Sequence, residues 1–100
     1  MDVEISIEGL ITPFNELLES GDFEGAEAHL ASSLGQYPSL QALIHFQFGR
    51  LYVRWNKLSS AMSHLGTAAE LAHAANDHVL LSIVQLEFKS ARQIQVGQKP

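Results

Sequence analysis

The apolar positions of this chain recur at helical spacing for most of its length. Over residues 39–55, Ile44, Phe46, Phe48, Leu51, Tyr52, Val53 and Trp55 spread around most of a helical wheel, and Gln47, Arg50 and Arg54 share one narrow polar arc. A helix with so little polar surface needs neighbours on more than one side. Residues 58–75 predict another helix, with Ala61, Leu65, Ala68, Ala69, Leu71 and Ala72 on its packing side. Small residues there let a neighbouring helix come close. Residues 77–96 predict the last helix, entered through Asn76-Asp77 and stopped at Gly97. Its apolar residues Val79, Leu80, Leu81, Ile83, Val84, Leu86, Phe88, Ala91 and Ile94 cover roughly 220° of the wheel, whereas one antiparallel neighbour needs only about 100°. The excess calls for a cover.

The amino-terminal part reads less regularly. Phe23, Ala26, Leu30 and Leu34 predict a helix over 22–34, capped by the Ser20-Gly21-Asp22 turn. Gly35 suits a left-handed end, and Pro38 precedes Ser39, the next candidate cap. Upstream, Val3, Ile5 and Ile7 alternate as a strand does, while Ile7, Leu10, Ile11, Phe14, Leu17 and Leu18 follow helical spacing. Pro13 is best tolerated at a first helical position with Thr12 as cap, which predicts a helix over 12–20. Residues 1–11 then form an arm or an extra helical turn, 12–97 one helical domain, and 98–100 a disordered tail.

An internal repeat makes the reading more specific. Gly21-Asp22-Phe23-Glu24-Gly25-Ala26 returns in outline as Asn56-Lys57-Leu58-Ser59-Ser60-Ala61, a turn followed by an apolar residue and then an alanine, 35 residues further on. In the second unit, about 42–75, Gly49, Tyr52, Ala61 and Ala68 stand at small, aromatic, small and small positions. This pattern resembles the tetratricopeptide-repeat family. The first unit, about 7–40, shares Gly21, Phe23, Ala26 and Pro38 but carries Phe14 and Ser33 where the family has small residues. Ala68-Ala69-Glu70-Leu71-Ala72 followed by Asn76-Asp77 also looks like the longer variety of these repeats. The resemblance implies an all-α fold of about two and a half stacked helix-turn-helix units, five helices in a right-handed superhelix. The last helix is then the first half of a third unit. Such proteins bind partner segments along their first helices, and small ones include cytoplasmic chaperones of type III secretion substrates.

Composition narrows the chemistry. There is no cysteine, which removes disulfides and thiolate sites. The longest apolar runs are far short of the roughly 18 residues that span a bilayer. The amino terminus is acidic rather than basic, unlike a secretory signal, so a cytoplasmic location is expected. The net charge of −5 divides unevenly. Residues 1–37 hold eight acids and no base, and residues 38–100 hold three acids against six bases, giving −8 and +3. Six scattered bases do not make a nucleic-acid footprint.

The five histidines, His29, His45, His64, His73 and His78, never stand three or four apart, so no metal is expected. Ser59, Ser60 and Ser63 lack a nucleophile elbow, and the pairs Glu16/Glu19 and Glu24/Glu27 sit where acid complements a helix dipole. Neither an enzyme nor a cofactor is expected. Recognition remains. By the resemblance, Leu43, Phe46, Arg50, Val53 and Arg54 line a groove, with Gln47 beside the arginines, and Leu81, Val84, Phe88, Arg92 and Lys89 extend it. Leu86 lies in the last helix's apolar arc. An apolar strip edged by arginine suits a helical or extended partner with acidic flanks. Two alternatives stay open: the acidic first hairpin neutralises these bases internally, or the last helix pairs with a second copy. A carboxylate clamp is not expected, because Asn15 matches one but Ile11 stands where its lysine would be.

Overall fold

The computed structural model describes residues 3–97, with side chains described over 7–94. Within them the chain forms five α-helices: α1 (Val3–Glu19), α2 (Phe23–Gln36), α3 (Gln41–Arg54), α4 (Leu58–Ala74) and α5 (His78–Gly97). A short 3-10 turn, Pro38–Leu40, joins α2 to α3. Among the described residues there is no strand. Each helix packs on the next in sequence, and α3 also reaches α5, so the fold is a stack of two helical hairpins and a fifth helix.

Three left-handed residues direct this path. Gly21, Asn56 and Asn76 have φ of 80°, 58° and 57°, and each ends a helix. The N–H of the next residue reaches back five positions: Asp22 to the Leu17 carbonyl at 2.9 Å, Lys57 to Tyr52 and Asp77 to Ala72, both at 2.8 Å. The left-handed residue itself bonds three positions back, to Leu18, Val53 and His73. This paired arrangement satisfies carbonyls that a helix end leaves open. Asp22 then accepts from the Gly25 N–H at 2.9 Å and Asp77 from the Leu80 N–H at 3.1 Å, capping α2 and α5. Gly21 and Asn56 stand 35 residues apart, so the repeat read in the side chains is also present in the backbone.

The core has two lobes. One joins Leu10, Phe14 and Leu18 of α1 to Ala26 and Leu30 of α2, and to Ile44, Phe48 and Leu51 of α3. The other joins Phe46 to Leu65 and Ala68 of α4 and to Val84 and Ala91 of α5. Gly49 lets α4 pack tightly on α3: a Cβ there would lie 2.3 Å from Leu65 Cδ2.

Several expectations are corrected. Helix α1 begins at Val3 rather than at 12, so residues 3–11 are helical and Thr12 is not a cap. Pro13 lies inside α1, where it removes its own N–H from the ladder and crowds the carbonyl one turn back. His29 of α2 lies 2.9 Å through Nε2 from the Leu10 carbonyl, beside that interruption. A carbonyl can only accept, so Nε2 carries the proton. The unbroken apolar series from Ile7 to Leu18 then wins over the local cost of proline.

Gly35 is not left-handed. Helix α2 runs on to Gln36 and closes through the Tyr37 N–H to the Ser33 carbonyl. Ser39 lies within the 3-10 turn and caps nothing; instead the Gln41 side chain donates to the Leu34 carbonyl at 2.9 Å, tying α3 to the end of α2. Leu71 is 38% exposed because it lies about 80° from the Ala61, Leu65, Ala68, Ala72 stripe on a helix turning 100° per residue. Residues 98–100, expected as a tail, are outside the described residues.

Candidate interaction groove

Two cavities each take residues from α1, α3 and α5 and together form a candidate groove. The first, about 360 Å³, is mostly apolar: Ile7 from α1, Leu40 of the 3-10 turn, Leu43 of α3, Ala72 and Ala75 at the end of α4, and Val79, Leu80 and Ile83 from α5. The second, about 260 Å³, is polar and takes Leu18 from α1, Arg50, Val53 and Arg54 from α3, and Glu87 from α5. On α1 the two cavities are marked by Ile7 and Leu18 and on α3 by Leu43 and Arg54, eleven residues apart in each case. At 1.5 Å per residue the two ends stand about 16 Å apart. Apolar residues gather at one end and guanidinium groups at the other.

The arginines differ in how they are held. Arg50 donates from Nη1 to Gln47 Oε1 at 2.7 Å, and its guanidinium carbon lies 5.9 Å from the centre of the Phe14 ring. It is half-buried and braced by a glutamine and an aromatic face rather than by an acid. Arg54 is exposed and shares its cavity with Glu87. An acid of the first hairpin meets α3 at Tyr52, which donates its hydroxyl to Glu27 Oε2 at 2.5 Å. Burial, then the bond to Glu27 and its charge, push the Tyr52 hydroxyl up to about 12.

The expected binding residues divide in three. Arg50, Val53 and Arg54 share the polar cavity, and Leu43 lines the apolar one. Phe46, Gln47 and Val84 are interior: Val84 is fully buried in the second lobe and Gln47 is 3% exposed, so neither offers surface to a partner in this conformation. The resemblance placed Phe46 and Val84 on the groove and the wheel placed Gln47 on the polar strip, and neither counts how many helices pack there. Phe88, Lys89 and Arg92 line a separate cavity on another face of α5, while Leu81 is half-buried and Leu86 is 68% exposed. Ile7, Leu18, Leu40, Val79, Leu80, Ile83 and Glu87 also line the groove and are not among the expected binding residues. Val79 and Ile83 were visible as members of the oversized apolar arc.

The histidines hold a contact that sequence spacing hid. His45 of α3 and His64 of α4 meet Nδ1 to Nδ1 at 3.0 Å, with ring centres 5.2 Å apart. His64 also stacks on Phe48 at 4.6 Å. One of the two nitrogens must donate and the other accept, so both rings cannot be protonated with the bond intact. Burial lowers the pKa of His45; burial, then the charge of His45, lower that of His64. The repeat offset was the available signal: His64 is His29 plus 35, and His45 is Leu10 plus 35. Among the described residues no group of three or more His, Asp or Glu is placed to hold a metal ion. Nor is any helix among them long and apolar enough to cross a membrane. No protein-family model, curated protein or solved structure matches the chain.

Proposed function

We propose that this chain is a non-catalytic protein-interaction module of tetratricopeptide-like build, an adaptor or chaperone that holds a helical or extended partner segment along α1, α3 and α5. The observation that carries this reading is the two-ended groove, with Ile7, Leu43, Leu80 and Ile83 at one end and Arg50 and Arg54 at the other. Val79, 74% exposed, and Ile83, 43% exposed, continue the apolar end into open surface. A contiguous exposed apolar patch is a common mark of an interaction site. An apolar segment with an acidic residue about 16 Å from its anchor would satisfy both ends. A cytoplasmic setting, with the module masking an aggregation-prone secretion substrate, fits this chemistry.

Tagged protein retrieved from its source cells tests the reading, with wild type beside Ile83→Glu and Arg54→Glu. Both positions are exposed, so both variants are expected to fold. A near-stoichiometric protein that copurifies with wild type and is lost from Ile83→Glu supports the groove. The same protein retained by both variants refutes it. One observation favours a second reading: the exposed stripe Val79, Ile83 and Leu86 on α5 also suits pairing with another copy. In that case sedimentation gives a wild-type dimer that Leu86→Glu dissolves, and no partner is retrieved.

A further inference from the structure

The second hairpin shows what another face of α5 is shaped to receive. Ile44 and Leu51, fully buried and seven residues apart on α3, face the first unit. Val84 and Ala91, fully buried and seven apart on α5, stand in the same relation to the second. One, four, five and eight residues on from Ile44 come His45, Phe48, Gly49 and Tyr52. All four meet α4: the three rings at His64, the glycine at Leu65. The same steps from Val84 give Gln85, Phe88, Lys89 and Arg92. These four, with Gln93, line an open cavity of about 450 Å³, and every described residue lining it belongs to α5. Ile83 of the groove lies about 140° around the helix from Phe88, so this is a different face.

Its chemistry also differs from the seat on α3. There the lining is aromatic and imidazole. On α5 a half-buried phenylalanine, packed against the second lobe, is framed by Lys89, Arg92 and two glutamines, with no acid among the described lining residues. The carboxylate next along the chain, Glu87, is in the groove with Arg50 and Arg54.

We propose that this face seats an acid-flanked amphipathic helix of a different protein, docked along the side of α5 that matches the α4 side of α3 and held further out, because Lys89 stands where Gly49 lets α4 close in. Positive charge around an apolar centre selects negative charge around an apolar ridge. A second copy of this chain is a poor occupant. The exposed large apolar residues among the described ones lie on α4 and α5, so the described side chains of the acidic α1 and α2 offer no large apolar ridge for Phe88. Two copies joined through this face would set Lys89 and Arg92 against themselves.

Two synthetic helical peptides of about 18 residues test this by fluorescence anisotropy, one with a leucine stripe flanked by glutamates, the other with the same stripe flanked by lysines. The acidic peptide is expected to bind wild type at least about tenfold more tightly. In protein whose groove is closed by Ile83→Glu the preference should remain, and adding Lys89→Glu and Arg92→Glu to it should abolish the preference. Residues 83, 89 and 92 are exposed, and a thermal melt of the triple variant matching wild type would show that the fold survives. Three results overturn the proposal: equal affinity for both peptides, a preference lost with Ile83→Glu alone, or one that persists when all three substitutions are combined. A wild-type dimer that Lys89→Glu with Arg92→Glu dissolves also overturns it and gives the face to a second copy. Because Ile83→Glu addresses the groove alone, failure here and failure of the groove reading are told apart.

Discussion

The two hairpins share a turn and differ in the seam beyond it. In α1–α2 the seam contains Pro13, and His29 turns its ring to the Leu10 carbonyl. In α3–α4 the equivalent residue, His64, turns to the His45 ring and to Phe48. The same residue type at the same repeat position serves a backbone group in one unit and a side chain in the other. What the two units share along the path is the exposed left-handed exit and, fully buried, the alanine at Ala26 and Ala61 and the leucine at Leu30 and Leu65. What lies between the helices can change if its polar atoms stay paired. Among the described residues no buried side-chain nitrogen or oxygen lacks a partner.

The largest test of this comparison is at the shared leucines. Leu30→Ala and Leu65→Ala remove equivalent, fully buried side chains, and each should cost about 2–5 kcal/mol in urea unfolding. Similar values would bear out the equivalence of the two seams. A cost below about 1 kcal/mol at one site would show that this seam collapses onto the hole and that the units are not alike.

Acidification should distinguish the seams next. The pKa values of His45 and His64 are lowered in the folded state, so that state holds fewer protons than the unfolded chain near the ordinary histidine value of 6.5. Their contribution to stability is therefore fully present above pH 6.5 and is lost as pH falls from there toward the lowered values. His64→Phe should flatten this part of a melting-temperature profile against pH. A slope unchanged in the variant would assign the dependence to other groups.

The smallest effect is at the turn. Gly21→Val places a branched residue at φ 80° and should cost about 1–2 kcal/mol. Gly21→Asn should cost distinctly less, because Asn56 and Asn76 already hold that conformation. Equal costs for the two variants would mean that the three exits are not interchangeable.

Much of the fold could be read from local signals, since helical spacing and the recurring turn are properties of neighbouring residues. The errors arose where a distant residue decides the outcome. Pro13 read as a helix start because nothing near it supports an interior proline; the group that bonds the carbonyl beside it is His29, on another helix. Gly35 read as a left-handed end because the Gln41 side chain that bonds the Leu34 carbonyl comes from the next helix. The site divides the same way. Arg50 and Arg54 share a face by periodicity alone, whereas the burial of Val84 depends on two other helices being in place. The pairing of His45 with His64 required the hairpin register, which the 35-residue offset carries.

Gly21 and Asn56 send the chain out of their helices along one trajectory, through the same pair of backbone hydrogen bonds. The segment between them is therefore a cassette with matching ends. Copying residues 22–56 in tandem rejoins each exit to an entrance it already fits, and the lengthened chain adds a layer rather than a loop. In this sense the length of the molecule is an adjustable property, set by how many times one junction is used.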